Sequence, residues 1–157
     1  MKVLETTDLT DSQKSQLLIL WNSEYQDHLG LNGTLALDTY LEGLTNVRHF
    51  LLSIDDEISA WAWTFDRDDE RWFAIIISES VQGIGLGRKM MDHLKQSEET
   101  LNGWVTDHEE DKRSDGRPYK SPLPFYIKNG FEVIEDQRLL KGALNAVKIR
   151  YVKHSGN

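Results

Sequence analysis

The sequence predicts a single α+β domain, of mixed α and β composition, built on a mostly antiparallel sheet. Residues 72–98 have the pattern of a strand, a glycine-rich loop and a helix. Residues 48–77 contain successive runs with a two-residue period, joined by short acidic turns. A further helix and a closing pair of strands follow a long polar loop. The 157 residues suffice for one domain with a proper core, so we expect one domain over 1–157.

The N-terminal part predicts one short strand and two helices. The strand is expected within the first eight residues, which include Val3 and Leu4. Thr10 and Gln13 have the spacing of a capping box. A helical stripe of apolar residues follows, formed by Leu17, Leu18, Trp21 and Tyr25, and a second helix is marked by Leu37, Tyr40, Leu41 and Leu44. We expect Trp21 and Tyr25 to pack in the core.

The middle of the chain predicts a three-stranded antiparallel meander. Phe50, Leu52 and Ile54 alternate with polar or smaller residues up to an acidic turn. In the next run, large residues alternate with small ones: Trp61, Trp63 and Phe65 against Ala60, Ala62 and Thr64. The aromatic side is either a sheet face with deeper packing or the wall of an acceptor pocket. A second acidic turn leads into the third strand of the meander.

The third strand of the meander and the glycine-rich loop after it predict an anion site. Trp72 to Ile77 is an uninterrupted apolar run, as expected for a strand covered on both faces. The loop Gln82-Gly83-Ile84-Gly85-Leu86-Gly87 precedes a helix whose apolar stripe is Leu86, Met90 and Leu94. Glycines let a ligand approach the backbone, and a helix N-terminus attracts anions. The glycine spacing fits neither the dinucleotide fingerprint nor the P-loop.

The C-terminal part predicts a strand, a helix and a hairpin. Leu101 to Thr106 has strand character, and a polar loop rich in acidic residues follows it. Such a long loop is usually functional or mobile, and its charge favours a cationic acceptor. Pro122 and Pro124 precede a short helix that ends at Asn129. Two strand runs, 131–134 and 139–140, and a last strand at 147–152 follow, with the turn at Lys141-Gly142 or Leu144-Asn145.

Composition excludes several classes of function. Charged residues make up 28% of the chain and hydrophobic residues 39%, and no apolar run has the length of a membrane span. With no cysteine, and with five histidines at spacings unlike those of metal ligands, we expect no metal. The net charge of -8 argues against a nucleic-acid partner. We expect no membrane partner, and because the first residues lack a secretory signal we expect a cytoplasmic protein.

Two motifs resemble those of the GNAT superfamily of N-acetyltransferases. Gln82, Gly85 and Gly87 match its pyrophosphate-binding signature, with Arg88 following, and Phe125, Tyr126, Lys128 and Gly130 match its late motif about forty residues on. The predicted element order also resembles the family's. The resemblance implies the GNAT fold: a mixed, mostly antiparallel sheet of six to seven strands flanked by about four helices. It covers nearly the whole chain, as a single N-acetyltransferase domain.

The resemblance implies acetyl-CoA as co-substrate and an acetyltransferase that moves the acetyl group to a primary amine in a ternary complex. The implied coenzyme A-binding residues are Ile75, Ile76, Ile77, Gln82, Gly83, Ile84, Gly85, Leu86, Gly87, Arg88, Tyr126 and Lys128. The Ile77 N–H is the candidate donor to the thioester oxygen. Tyr126 is the candidate acid for the leaving thiolate, and the alternative is a Tyr packed in the helix with its hydroxyl hydrogen-bonded.

The general base and the acceptor stay open at this stage. An alkyl amine with a pKa near ~10.4 needs a base, and His108 is the candidate, with Glu79, Asp107 or a water chain as alternatives. The acceptor is expected to be an amine of a small molecule or a peptide. Family members are often dimers, so a homodimer is also open. The alternatives are a non-catalytic acyl-CoA-binding module and a transferase with another acyl group or acceptor.

Overall fold

A computed structural model describes residues 2–24, 30–81, 83–106, 121–141 and 144–153. These residues form seven strands, four α helices and one short 3-10 helix at Glu79–Val81. The strands are β1 (Lys2–Thr6), β2 (Thr45–Ile54), β3 (Glu57–Arg67), β4 (Glu70–Ile77), β5 (Thr100–Val105), β6 (Glu132–Lys141) and β7 (Leu144–Val152). The helices are α1 (Asp11–Glu24), α2 (Thr34–Glu42), α3 (Leu86–Ser97) and α4 (Leu123–Lys128).

The seven strands form one mixed sheet in the order β1-β2-β3-β4-β5-β7-β6. All neighbours pair antiparallel except β4 and β5, which are parallel and joined by a crossover through α3. The predicted α+β class with a mostly antiparallel sheet is therefore confirmed. The predicted meander is β2-β3-β4.

Local signals place α1 correctly and α2 with one error. Thr10 N–H donates to Gln13 Oε1 at 2.8 Å, and Gln13 N–H donates to Thr10 Oγ1 at 3.1 Å, so the capping box is present. Leu17 and Trp21 are buried on α1, as expected, whereas Tyr25 lies outside the described residues. The expectation that Leu44 belongs to the second helix is wrong. Helix α2 ends at Glu42.

Two tight acidic turns connect the meander. Asp55 and Asp56 alone separate β2 from β3, and Asp68 and Asp69 alone separate β3 from β4. All four residues have positive φ, between 51° and 63°. Positive φ at both central positions is the type I′ pattern, whose twist matches that of the flanking strands. Asp tolerates this region better than most residues, so the acidic runs serve as hairpin turns.

The C-terminal hairpin differs from its prediction. The two runs expected at 131–134 and 139–140 belong to one strand, β6, whose pairing with β7 is irregular between Ile134 and Arg138. Leu144 and Asn145 lie inside β7, so the turn is not there. Lys141 pairs with Leu144, and the turn between them lies outside the described residues.

Both faces of the sheet are covered by helices, as the apolar run at Trp72 to Ile77 predicts. One apolar cluster includes α1 and α2, and Leu51, Trp61, Trp63, Phe65 and Ile76 from the strands. The other includes α3 and α4, with Ala60, Ala62, Phe73, Leu101 and Ile149 from the strands. We call them the α1/α2 face and the α3/α4 face. The second contains the glycine loop.

The alternation of large and small residues in β3 reflects core packing. Trp61 and Trp63 are fully buried on the α1/α2 face, with ring centroids 3.9 Å apart. Trp21 of α1 stacks on Trp63, with ring centroids 5.7 Å apart. The Tyr40 hydroxyl of α2 accepts a hydrogen bond from Trp63 Nε1 at 3.3 Å. The burial of both rings in the core agrees with the interpretation as a sheet face with deeper packing.

Candidate active site

The sheet opens between β4 and β5. In the described part of the chain these parallel strands have one pair of residues in register, Trp72 with Asn102. Strand β4 continues for five more residues to Ile77 while staying paired with β3 along its whole length. Beyond Trp72, the described residues of β4 therefore have no residue of β5 in register with them. This opening is a place where an extended ligand can pair with a strand edge.

Hydrogen-bond alternation shows which backbone groups face the opening. Ser78 N–H donates to Ser59 O of β3 at 2.8 Å, so even-numbered residues of β4 direct their N–H and C=O toward β3. Ile76 is one of these. The backbone groups of Ile75 and Ile77 point to the other side, and Arg71 C=O accepts a bond from the Asn102 side chain there at 3.0 Å. The side chains alternate too: Ile76 belongs to the α1/α2 face, and Ile75 and Ile77 to the α3/α4 face.

The glycine loop leads into α3 with its backbone exposed. Gly85 is the N-cap residue of α3 and has φ 83°, in the left-handed region that favours glycine. Among the described residues no side chain caps this helix, its first turn contains no acidic residue, and its first backbone bond runs from Lys89 N–H to Gly85 O. The preceding N–H groups have no partner within the helix, and N–H groups at such a helix start can bind an anion. A side chain at Gly83 or Gly85 would meet no atom within 4 Å. Gln82 lies outside the described residues.

The start of α3, the end of β4 and α4 meet at Gly87. A Cβ at Gly87 would lie 3.0 Å from Ile77 Cδ1 and 3.1 Å from Phe125 Cε1, closer than ordinary van der Waals contact. Glycine therefore allows the three elements to pack closely here, and a larger residue would require Ile77 or Phe125 to shift. Leu86 is buried beneath the loop, whereas Ile84 at its tip is 66% exposed. The structure thus brings the start of α3 next to Ile77, the last residue of β4.

Tyr126 lies on the buried side of α4, on the same face as the glycine loop. Its side chain is 7% exposed, and its ring contacts three Phe rings, with centroids 5.7 Å from Phe73, 5.3 Å from Phe125 and 5.5 Å from Phe131. Phe73 belongs to β4, two residues before Ile75. The structure therefore places Tyr126 beside the opening and surrounds its ring with aromatic packing.

Positive charge is concentrated near the loop. Arg88 in the first turn of α3 is exposed, and so is Lys128 in the last turn of α4. Within the described ranges neither forms an ion pair. Lys95 further along α3 donates to the carbonyl of Asn129, just after α4, and so ties the two helices together. In a chain with a net charge of -8, Arg88 and Lys128 thus have no ion-pair partner among the described residues and could attract an anion to the loop.

Of the three side chains that are candidates for the general base, Glu79 alone lies within the described residues. His108 and Asp107 lie outside the described residues. Glu79 is exposed directly after β4, and its N–H donates to Glu24 Oε2 at 3.1 Å. This bond ties the end of α1 to the end of the open strand, and no local pattern in the sequence indicates it.

The opposite end of the β4–β5 pair is closed by polar contacts. Asn102, 1% exposed, donates to Arg71 O and accepts a bond from Arg150 Nε at 2.9 Å. Glu70 pairs with both Arg150 and Lys148. These bonds hold β4, β5 and β7 together where the single ladder pair lies. A cavity of about 880 Å³ lies at this end, lined by Thr45, Asp66, Arg67, Asp68, Asp69, Glu70, Arg71, Thr100, Asn102, Arg150 and Val152, away from the glycine loop.

One buried histidine lies apart from the candidate site. His49 of β2 is 2% exposed on the α1/α2 face, and its Nδ1 accepts a hydrogen bond from Trp61 Nε1 at 3.0 Å. Burial lowers the pKa of His49 to about 4, against a smaller opposing effect of Asp8. His49 is therefore neutral at neutral pH.

The described residues contain neither a cluster of metal-ligand side chains nor a helix that could span a membrane. No three His, Asp or Glu side chains there are grouped as metal ligands would be. None of the α helices in the described ranges is long and apolar enough to cross a membrane.

The sequence matches one protein-family model, described as an Acetyltransferase (GNAT) domain, over residues 45–133. The match spans more than half of the chain and includes the glycine loop, the opening and α4. The chain belongs to the GNAT acetyltransferase family. The predicted resemblance is thereby confirmed. A search of curated proteins gave no match to this GNAT chain.

Solved structures share the fold of this GNAT protein. An aminoglycoside 6′-N-acetyltransferase complexed with coenzyme A has a TM-score of 0.71 and 13% identity, with 97% of each chain covered. The aminoglycoside 6′-N-acetyltransferase from Enterococcus faecium gives 0.66 and 14%, again with 97% of each covered. An acyl-CoA N-acyltransferase from Pseudomonas aeruginosa gives 0.67 and 16%, covering 95% of this chain and 97% of that one. At these identities the likeness shows the fold, and the predicted GNAT fold is confirmed.

Proposed function

We propose that this GNAT protein transfers an acetyl group from acetyl-CoA to a primary amine of a small molecule or peptide, by direct attack in a ternary complex. The observation that carries the proposal is the opening of the sheet beside an uncapped, glycine-rich helix start. A ligand that combines an extended arm with a pyrophosphate fits both features. The names of structural neighbours, two of them aminoglycoside 6′-N-acetyltransferases, support an amine acceptor.

The chain offers separate groups for each part of acetyl-CoA. The N–H groups from Gly83 to Arg88, which follow Gln82, would bind the pyrophosphate, with Arg88 and Lys128 supplying positive charge. The backbone groups of Ile75 and Ile77 face the opening and would pair with the extended arm. Ile76 would contribute by fixing β4 to β3, since its own N–H and C=O face that strand.

The transfer step assigns roles to three further groups. The Ile77 N–H faces the opening and would donate to the thioester oxygen as negative charge develops there. The Tyr126 hydroxyl would protonate the leaving thiolate. Because an alkyl amine has a pKa near ~10.4, a base must take its proton, and His108, Glu79, Asp107 and water remain the candidates.

Calorimetric titration with acetyl-CoA tests the cofactor part of the proposal. We expect wild-type protein to bind, Gly85→Glu to lose binding, and Gly85→Gln to retain more than Gly85→Glu. The two variants have side chains of equal shape, and both strain the left-handed φ of Gly85 in the same way. Only the charge differs, so a difference between them reports repulsion of an anion. Absence of binding to wild-type protein would refute the proposal.

Release of free thiol in the presence of amines tests the transfer. A screen of small-molecule and peptide amines is expected to find at least one that releases thiol with wild-type protein. Tyr126→Phe is expected to lower kcat while acetyl-CoA still binds. Binding without turnover of any amine would favour an acyl-CoA-binding module instead. Turnover with a longer acyl-CoA or a hydroxyl acceptor would redirect the proposal to that substrate.

A further inference from the structure

A ring from β4 occupies the place where residue 103 of β5 would carry its side chain. A Cβ built on Gly103 would lie 2.8 Å from Phe73 Cε1 and 3.2 Å from Phe73 Cζ. Real Cβ atoms do not approach other atoms this closely, so residue 103 must be glycine while Phe73 keeps its position. Gly103 has no positive φ that would explain it otherwise. An isolated glycine inside a strand often marks such a close approach.

The Phe73 ring cannot move aside freely, because other rings surround it. It is 5% exposed, and its centroid lies 5.7 Å from Tyr126 and 5.3 Å from Phe131. Tyr126 and Phe131 also contact each other, at 5.5 Å. In a close-packed interior, a displacement of Phe73 is passed to the rings that rest on it. Tyr126 is one of these rings.

The backbone of β5 is equally constrained at this point. Asn102, the residue before Gly103, is in register with Trp72 of β4 and is bonded to both Arg71 and Arg150. Leu101, on the other side of Asn102, is fully buried. A side chain added at residue 103 would therefore displace Phe73 rather than β5.

We propose that Gly103 is a positioning residue for Tyr126: its missing side chain provides the space for the Phe73 ring, and that ring sets the distance of Tyr126 from the opening between β4 and β5. The proposal rests on the proposed function, in which the Tyr126 hydroxyl protonates the thiolate. It adds a residue from β5, a strand that contributes none of the groups proposed to bind acetyl-CoA. Phe73 and Gly103 directly follow the paired residues Trp72 and Asn102. The rings of Phe73 and Tyr126 therefore lie where the two strands begin to diverge.

The test compares Gly103→Ala, Phe73→Leu and the double variant by steady-state kinetics. Gly103→Ala is expected to lower kcat by about tenfold to a hundredfold, since a shift of about 1 Å at a reacting group has effects of that size. The KM for acetyl-CoA is expected to stay near wild type. Leu lacks the ring atoms that meet the new Cβ, so the double variant should have the kcat of Phe73→Leu, above that of Gly103→Ala. Residues in contact show such non-additivity.

Gly43→Ala is the matched control, because a Cβ there would have an ordinary contact of 3.5 Å, at the end of α2. It should leave kcat unchanged. A kcat of Gly103→Ala equal to that of wild-type protein would overturn the proposal. A double variant whose kcat is no higher than that of Gly103→Ala would overturn it as well. If Gly103→Ala fails to fold, Phe73→Leu alone must still lower kcat. A purely structural role for Gly103 would lower stability without changing kcat of the folded protein.

A readout without activity separates this proposal from the proposed function. Fluorotyrosine NMR, with the Tyr126 signal assigned by Tyr126→Phe, reports the surroundings of the ring directly. The signal should shift in Gly103→Ala and return toward that of Phe73→Leu in the double variant. An unshifted signal would overturn the positioning role whether or not acetyl-CoA binds. A shifted signal with no acetyl-CoA binding by wild-type protein would refute only the proposed function.

Discussion

His49 is expected to make the fold sensitive to mild acid. The buried imidazole has a pKa of about 4 in the folded protein, against 6.5 in the unfolded chain. Above both values His49 is neutral in both states and adds no pH dependence. As the pH falls below 6.5, the unfolded chain binds a proton that the folded protein cannot, so the free energy of unfolding decreases until about pH 4. The full difference corresponds to about 3 kcal/mol, and about 2 kcal/mol of it falls between about pH 7 and about pH 5.

Urea unfolding of wild-type protein and His49→Gln at these two pH values measures the effect. A Gln at this position is uncharged, and its side-chain oxygen can still accept the bond from Trp61 Nε1. Carboxylates contribute equally to both proteins, so the difference between them isolates His49. We expect wild-type protein to lose about 2 kcal/mol more than the variant. Equal losses in the two proteins would refute the reasoning.

Two further substitutions test local contacts by urea unfolding. Thr10→Ala removes the cap of α1 and is expected to lower the free energy of unfolding by about 1 kcal/mol, whereas Thr7→Ala, at an exposed residue just before it, should have almost no effect. Glu70→Gln is expected to lower it by about 3 kcal/mol, because it removes the carboxylate that pairs with Lys148, which is 3% exposed. Lys148→Met should lower it less, since Glu70 keeps Arg150. The reverse order of these two would contradict the buried ion-pair argument.

Features set by neighbours in the sequence were predictable. The capping box at Thr10, the alternation through Trp61 and Trp63, and the apolar stripe from Leu86 to Leu94 depend on local geometry, and the structure has all three. The family followed from two motifs, the glycine loop and the helix that contains Tyr126. Both motifs lie on the same side of the sheet. A short, regular pattern suffices for such features because each residue is positioned by residues a few places away.

Features set by distant contacts were not predictable. The role of Gly103 depends on a ring thirty positions earlier, and only its isolation within a strand could have drawn attention to it. The bond from Glu79 to Glu24 joins residues 55 positions apart. His49 is buried against Trp61 of the neighbouring strand, twelve positions later, and the sequence shows His49 only as one polar residue in an alternating strand. The prediction of two separate runs in place of β6 was wrong because the residues between Ile134 and Leu139 are polar and interrupt the apolar pattern of the strand.

All five tryptophans belong to the α1/α2 face, and Trp61 and Trp63 are stacked at its centre. Tryptophan fluorescence therefore observes one side of the sheet, while the glycine loop and Tyr126 lie on the other. A partly unfolded state that lost only α4 would keep a native-like emission spectrum. A tryptophan in place of the exposed Ile84, at the tip of the glycine loop, would add a fluorescence signal from the α3/α4 face. Two-state unfolding would then require that both signals change at the same urea concentration.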